Sequence, residues 1–190
     1  MTSTVESQDQ TDALAERIKQ AHVAGTPIAI AGSGSKRFLG EQVDTSTHDK
    51  LDMTAHRGIV SYEPGELVLT ARAGTPLADI EAALADEGQR LAFEPPHYGA
   101  GATLGGTIAA GLSGPARPYA GAARDFVLGT RIINGQGEIL RFGGEVMKNV
   151  AGYDLSRLMA GAHGTLGVLL EISLKVLPTP RTQQTRVFEH

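Results

Sequence analysis

The sequence contains no cysteine and no tryptophan among its 190 residues. Without thiols the chain forms no disulfide, ligates no iron–sulfur cluster or thiolate zinc site, and offers no cysteine nucleophile. Aromatic residues make up 5% of the chain, too few for a platform on which the bases of a single strand stack. An excess of positive charge is also missing. Seventeen Lys and Arg stand against 21 Asp and Glu, a formal charge of −4 that gives no basic field for nucleic acid. The first 26 residues are polar and lack the apolar core of a signal peptide.

Long hydrophobic runs are scarce too. The span 95–116 carries no Lys, Arg, Asp or Glu and is 22 residues long, enough to cross a bilayer. It also holds Pro95, Pro96, Pro115 and six glycines, so its backbone groups would go unpaired in lipid, and it reads as a Gly-rich loop plus a helix. Hydrolase chemistry lacks its elbow: Gly111-Leu-Ser-Gly breaks the Gly-x-Ser-x-Gly pattern at its last position. The six histidines show no metal-ligand spacing such as His-Glu-x-x-His.

Glycine is abundant instead, at 24 residues, sixteen of them between Gly99 and Gly167. A packed protein carries this many only where backbone bends sharply or approaches something closely. The remaining composition, 41% apolar and 20% charged, suits a soluble globular chain of one domain or two lobes.

The periodicity predicts a tail over 1–9 and a helix over 11–24, with Leu14, Ile18 and Ala21 on one face and Gly25 as the stop. Strands are expected at 27–31, 51–53, 58–62 and 67–73. A second helix follows, capped by Thr75 with Pro76 at its first position and ending at Gly88. This half reads as an α/β unit with parallel pairing. The second half reads as largely antiparallel with inserted helices. A short helix spans 103–112, strands at 126–133 and 138–142 flank the turn Asn134-Gly-Gln-Gly137, a helix covers 153–160, and a strand covers 166–177.

Three segments carry the functional signal. Gly32-Ser-Gly-Ser-Lys36 follows a strand, and its amides either wrap a phosphate, with Lys36 or Arg37 adding charge, or form an ordinary turn. It is not a dinucleotide fingerprint, because Arg37 stands at the third glycine, and it lacks the Gly-Lys-Ser/Thr of a Walker loop. Around Thr103-Leu-Gly-Gly106, a helix start bare of side chains either receives an anion or ring against its amides or packs tightly. The third segment is 148–158 with Gly161-Ala-His-Gly-Thr-Leu-Gly167. Its His163 reads as a turn residue, Tyr153 and Asp154 as packing and capping at a helix start, and Lys148 and Arg124 either as cations near a ligand or as solvated ones. Gly-rich loops on two lobes imply an elongated, phosphate-bearing ligand between them.

Gly143-Gly-Glu-Val-Met-Lys-Asn-Val-Ala-Gly-Tyr-Asp-Leu-Ser-Arg-Leu158, followed by Gly161-Ala-His-Gly-Thr-Leu-Gly-Val-Leu169, resembles flavoproteins of the vanillyl-alcohol oxidase and p-cresol methylhydroxylase fold. Glu94-Pro-Pro-His-Tyr-Gly-Ala-Gly-Ala-Thr-Leu-Gly-Gly106, Gly114-Pro-Ala-Arg-Pro-Tyr119 and Arg124-Asp-Phe-Val-Leu-Gly129 place the resemblance in the D-lactate dehydrogenase and glycolate oxidase branch, near its smaller FAD-binding subunits. The resemblance implies an α+β, two-lobed FAD-binding domain over 10–182, with lobes at about 10–90 and 91–182. The N-terminal lobe would be α/β with parallel strands, the second sheet largely antiparallel, and 183–190 a tail with no substrate cap domain after it. It implies non-covalent FAD, since Ser35 stands where some relatives attach flavin through a His. The implied cofactor residues are Gly32, Ser33, Gly34, Ser35 and Lys36; Pro96 and His97; Thr103, Leu104, Gly105, Gly106, Thr107, Ala109 and Ala110; Ala122 and Asp125; and Gly167 and Val168. His97 stands where many relatives carry Asp. The implied activity is oxidation of a 2-hydroxy acid, glycolate to glyoxylate, within a glycolate oxidase that also has a larger flavin subunit and an iron–sulfur subunit. The implied location is the cytoplasm, or a membrane face reached through those partners. The alternative is a non-catalytic flavin-binding assembly module, and a more distant one is the related sugar-nucleotide reductase type.

Overall fold

The computed structural model describes residues 7–39, 48–144 and 152–188. Helix α1 (Thr11–Ala24) buries Leu14, Ala15, Ile18 and Ala21, one stripe at three- and four-residue spacing. Asp9 Oδ1 accepts the Thr11 amide at 2.9 Å, and Gly25 at φ 65° closes the helix. Strand β1 (Ile28–Ala31) lies parallel to β2 (Asp49–Asp52), the only parallel pair among the described residues.

The next strands form a different sheet. β3 (Ile59–Glu63) turns through a 3-10 turn into β4 (Val68–Arg72). Helix α2 (Leu77–Asp86), with Leu77, Ile80 and Leu84 fully buried, leads to the short β5 (Gln89–Leu91). Then come α3 (Leu104–Ala110), α4 (Arg117–Ala120), β6 (Val127–Ile133), β7 (Ile139–Gly143), α5 (Leu155–Met159) and β8 (Val168–Pro178). The six-stranded antiparallel sheet runs β3-β4-β8-β6-β7, with β5 also on β8. β8 is its spine. Eleven residues long and buried along most of its length, it pairs with β4, β6 and β5. The architecture is thus α+β, with a parallel two-stranded sheet beside a mostly N-to-C interleaved antiparallel one.

Several expectations are revised. The sheet does not respect a lobe boundary near residue 90, because β3 and β4 join the second-half strands through β8; Thr70 pairs with Ser173 and their buried hydroxyls meet at 2.8 Å. The tail is not slack over 7–9: Gln8 pairs with Arg57, and Arg72 donates to Ser7 Oγ at 2.6 Å and to Asp9 Oδ2 at 3.2 Å. Thr75 does not cap α2. Its buried hydroxyl accepts from Gly58 N at 2.9 Å and donates to Arg72 O at 2.7 Å, and Pro76 holds the cap position with no side-chain bond. No described helix is long and apolar enough to cross a membrane.

Candidate functional site

A cleft of about 730 Å³ opens beside the parallel β1–β2 pair. It is lined by β1 with the loop Gly32–Arg37, by Thr103 and Gly106, by His163, Gly164 and Thr165, and by Lys50 on β2; Gly164 lies beside Ile30 of β1. Strand β1 ends in small residues, so the loop turns at once. Gly34 sits at φ 78°, and Arg37 N donates to Gly34 O and Leu39 N to Lys36 O. Among the described residues, no backbone carbonyl accepts from the amides of Ser33, Gly34, Ser35 or Lys36. A row of amides without backbone partners beside a cleft is suited to an anionic ligand. Burial also pushes the Lys36 ammonium below its usual range, which a bound anion would offset.

The turn at 163–165 is fixed to α3. Gly161 N donates to Ile108 O at 3.0 Å and His163 N to Ala109 O at 2.9 Å, so the turn is stitched to the last residues of that helix. His163 holds a left-handed backbone at φ 51°, and its exposed side chain faces the cleft. The turn reading of His163 therefore stands, and the residue is also part of the cleft lining.

The start of α3 does not behave as an open anion site. Leu104 N donates to Thr75 O at 2.9 Å, Gly105 N to Ala73 O at 2.7 Å, and Gly106 N to Thr103 Oγ1 at 3.2 Å. All three amides are spent inside the protein. Gly105 is bare for packing: a Cβ there would lie 2.7 Å from Ala73 Cβ and 3.0 Å from Ala73 O. Gly106 does reach the cleft, and with Gly105, Ala109, Gly32 and Gly167 it also lines a small apolar chamber of about 90 Å³ behind it. Gly167 and Val168 line a third hollow of about 560 Å³, shared with the end of α1, Ile133 and Asn134.

The expected site residues therefore divide. Gly32, Ser33, Gly34, Ser35, Lys36, Thr103 and Gly106 converge on the main cleft, while Gly105, Ala109, Gly167 and Val168 border the adjoining hollows. Leu104 and Thr107 are fully buried beneath them. Pro96, His97, Ala110, Ala122 and Asp125 line none of the three hollows. His97 Nε2 lies 3.1 Å from Glu81 Oε1, and Asp125 Oδ2 accepts from Ala122 N at 2.8 Å, closing a 3-10 turn. Arg124 reaches toward Gly161. Asp154 caps α5 through Arg157 N at 3.0 Å, whereas Tyr153 is 93% exposed and packs on nothing in the core. Lys148 lies outside the described residues. The cleft also uses residues with no sequence signal of their own, Ile28–Ala31, Lys50 and Thr165, placed there by the β1–β2 pairing and the α3 stitch. No cluster of three metal-ligating side chains occurs among the described residues.

Comparison with known proteins follows the same lines. A family model described as FAD binding domain matches residues 5–143. The glycolate oxidase subunit GlcE of Escherichia coli is 64% identical over 173 residues, 91% of this chain and 49% of that protein. The glycolate oxidase subunit GlcD of Bacillus subtilis is 33% identical, covering 84% of this chain and 33% of that protein. A D-lactate dehydrogenase of Anaerostipes hadrus is 32% identical, covering 82% and 32%. Among solved structures, an alkyldihydroxyacetonephosphate synthase superposes with a TM-score of 0.72 over 90% of this chain and 31% of its own, at 20% identity, a likeness of fold. The chain spans about half the length of the first of these relatives and about a third of the others.

Proposed function

The chain belongs to the FAD binding domain family, and on that premise we propose that it holds FAD non-covalently in the 730 Å³ cleft, as the flavin-carrying part of a 2-hydroxy-acid oxidoreductase of the glycolate oxidase type. One observation carries the placement: among the described residues the amides at 33–36 have no backbone acceptor, and they line the cleft together with half-buried Lys36 and the turn at 163–165. The cleft is of the size that encloses a large cofactor. Gly32 and Gly106 present bare backbone to the cleft, as close approach by a dinucleotide requires.

In this reading the 33–36 amides and Lys36 take the pyrophosphate. Gly106 and the 163–165 turn bound the same molecule, and the apolar chamber behind Gly105 keeps that part of the cleft dry. Bound flavin supplies the two-electron chemistry, and the protein supplies position and electrostatics. The substrate is glycolate or a related 2-hydroxy acid, oxidised to the keto acid within a multi-subunit oxidase. A larger flavin subunit and an iron–sulfur subunit are the proposed partners, in the cytoplasm or at a membrane face through those partners. The similarity to GlcE supports this reading.

The test is a visible spectrum of the purified chain after FAD addition and gel filtration. A retained flavin band displaced by ADP is expected; a colourless protein sinks the reading. Bleaching of that band by glycolate in the complete oxidase, and its loss when this subunit alone is FAD-free, separates an electron-carrying role from an assembly role.

A further inference from the structure

The 32–39 loop meets the 95–102 loop beside the cleft. Phe38 and Tyr98 stack edge to face, with ring centroids 4.9 Å apart and planes at 76°. Both rings are more than half or half open to solvent, at 58% and 50%. Arg37 and Leu39, which flank Phe38 in the chain, line the cleft, and neither Phe38 nor Tyr98 is among its lining residues. A second contact lies nearby, where a Cβ at Gly101 would come within 3.1 Å of Ser33 Cβ.

The two loops are held unequally. The 95–102 loop is anchored at its end: Ala102 is buried, and its carbonyl accepts from Leu77 N of α2 at 2.8 Å. The 32–39 loop has only its own turn bonds, Arg37 to Gly34 and Leu39 to Lys36, among the described residues. Tyr98 holds a left-handed backbone at φ 47°, a conformation that bulky residues avoid and that persists where surrounding contacts impose it. Its ring contact with Phe38 is the aromatic contact of both residues.

We propose that Phe38 and Tyr98 are positioning residues, a clasp that holds the 32–39 loop against the anchored loop and sets how fast a dinucleotide leaves the cleft. This rests on the reading of the cleft as a dinucleotide site. The clasp touches no ligand. It acts through the amides of 33–36, which bind in concert only while the loop stays closed.

The experiment uses the FAD-loaded protein and four variants: Phe38→Leu, Tyr98→Asn, their double, and Tyr98→Phe. Asn accepts the left-handed backbone, so Tyr98→Asn removes the ring without adding strain. FAD release is followed by flavin fluorescence after dilution, and loop opening by hydrogen exchange of the bonded Arg37 and Leu39 amides in the FAD-free chain. For a half-exposed edge-to-face pair, each single variant should speed release and exchange about two- to fivefold. The double variant should match the singles, and Tyr98→Phe should match wild type. Unchanged release overturns the proposal, whether or not exchange changes. So does a double variant equal to the product of the singles, since the rings would then act independently. A wild-type chain that retains no FAD brings down the cofactor reading instead, and the exchange measurement still decides whether the rings hold the loop.

Discussion

Adding one methyl group at Gly32 tests the geometry of the cleft lining. Gly32 is not in the left-handed region, so alanine is allowed there by backbone conformation. The new Cβ would lie 2.7 Å from Thr103 Oγ1, but at ordinary contact distances of 3.6 and 3.7 Å from Thr103 Cγ2 and Cβ. The conflict is therefore with one oxygen. Thr103 is 5% exposed, and turning its hydroxyl away breaks the cap bond to Gly106 N. Overpacking of this kind costs about 1–3 kcal/mol, and about 0.4–1 kcal/mol returns because alanine restricts the unfolded chain. We expect Gly32→Ala to lose about 1–2 kcal/mol on that balance. Thr103→Ala alone removes a long cap bond and should cost about 0.5–1 kcal/mol. In the double variant the clashing atom is gone, so it should be no less stable than Thr103→Ala, a coupling of about 1–2 kcal/mol between the sites. Urea unfolding of the four proteins at a common m-value gives the cycle. Additive losses would refute the argument, because they would mean that Gly32 does not face Thr103 as described. The shared cap also predicts weaker FAD retention in Gly32→Ala than in the double variant.

Lys36→Met should weaken FAD binding by about tenfold and flatten its dependence on salt, as loss of a charge-assisted phosphate contact implies; titration at two ionic strengths checks it. Burial holds the His56 imidazole below its usual range, while Asp9 pulls it up more weakly, and His56 Nδ1 accepts from Gln10 N at 3.0 Å. The neutral ring is thus the folded form. Stability should be full above the unfolded value near 6.5 and should fall as pH drops below it, with a slope of at most about 1.4 kcal/mol per pH unit that His56→Asn removes. Unfolding curves at pH 7 and pH 5 measure this. Asp9 is held well below the usual carboxylate range, chiefly by its bonds to Thr11 and further by Arg72. Its contribution should persist above the ordinary carboxylate value and disappear in acid, and Asp9→Asn should cost no more than about 1 kcal/mol at neutral pH because the side chain is half exposed. Faster proteolysis ahead of α1 is the second sign of that loss.

Local patterns were legible and non-local pairings were not. The stripe of Leu14, Ile18 and Ala21 with Gly25 behind it specifies α1 to the residue, because spacing and stop are both local. The turn at 134–137 likewise specifies the β6–β7 hairpin, with Asn134 Oδ1 accepting from Gln136 N and Glu138 N. The long apolar run before Pro178 marked β8 as a strand, but nothing in it names β4 as a neighbour. That pairing joins residues 103 apart, such as Thr70 and Ser173, and it crosses residue 90, near which the resemblance implied a lobe boundary. Strand β5 was missed for a related reason: Gln89-Arg-Leu91 has no strand period of its own and exists by pairing with the end of β8.

The glycines show the same limit at the site. A bare backbone position announces that something comes close, and the sequence does not say what. At Gly105 the close neighbour is Ala73, on the strand side of the core, and the amide expected to meet a ligand is given to Ala73 O. At Ser33 to Lys36 the amides are left over, and half-buried Lys36 lies beside them. Both segments looked alike as strings of small residues, yet one serves helix packing and the other faces the cleft. What separates them is hydrogen-bond accounting, since a spent amide is not free to donate to a phosphate and one without a backbone acceptor is. The cofactor reading therefore rests on the first loop and the turn at 163–165 that lines the cleft with it. Substitutions at Gly105 should change stability with little change in FAD affinity per folded molecule, and substitutions at Lys36 should do the reverse.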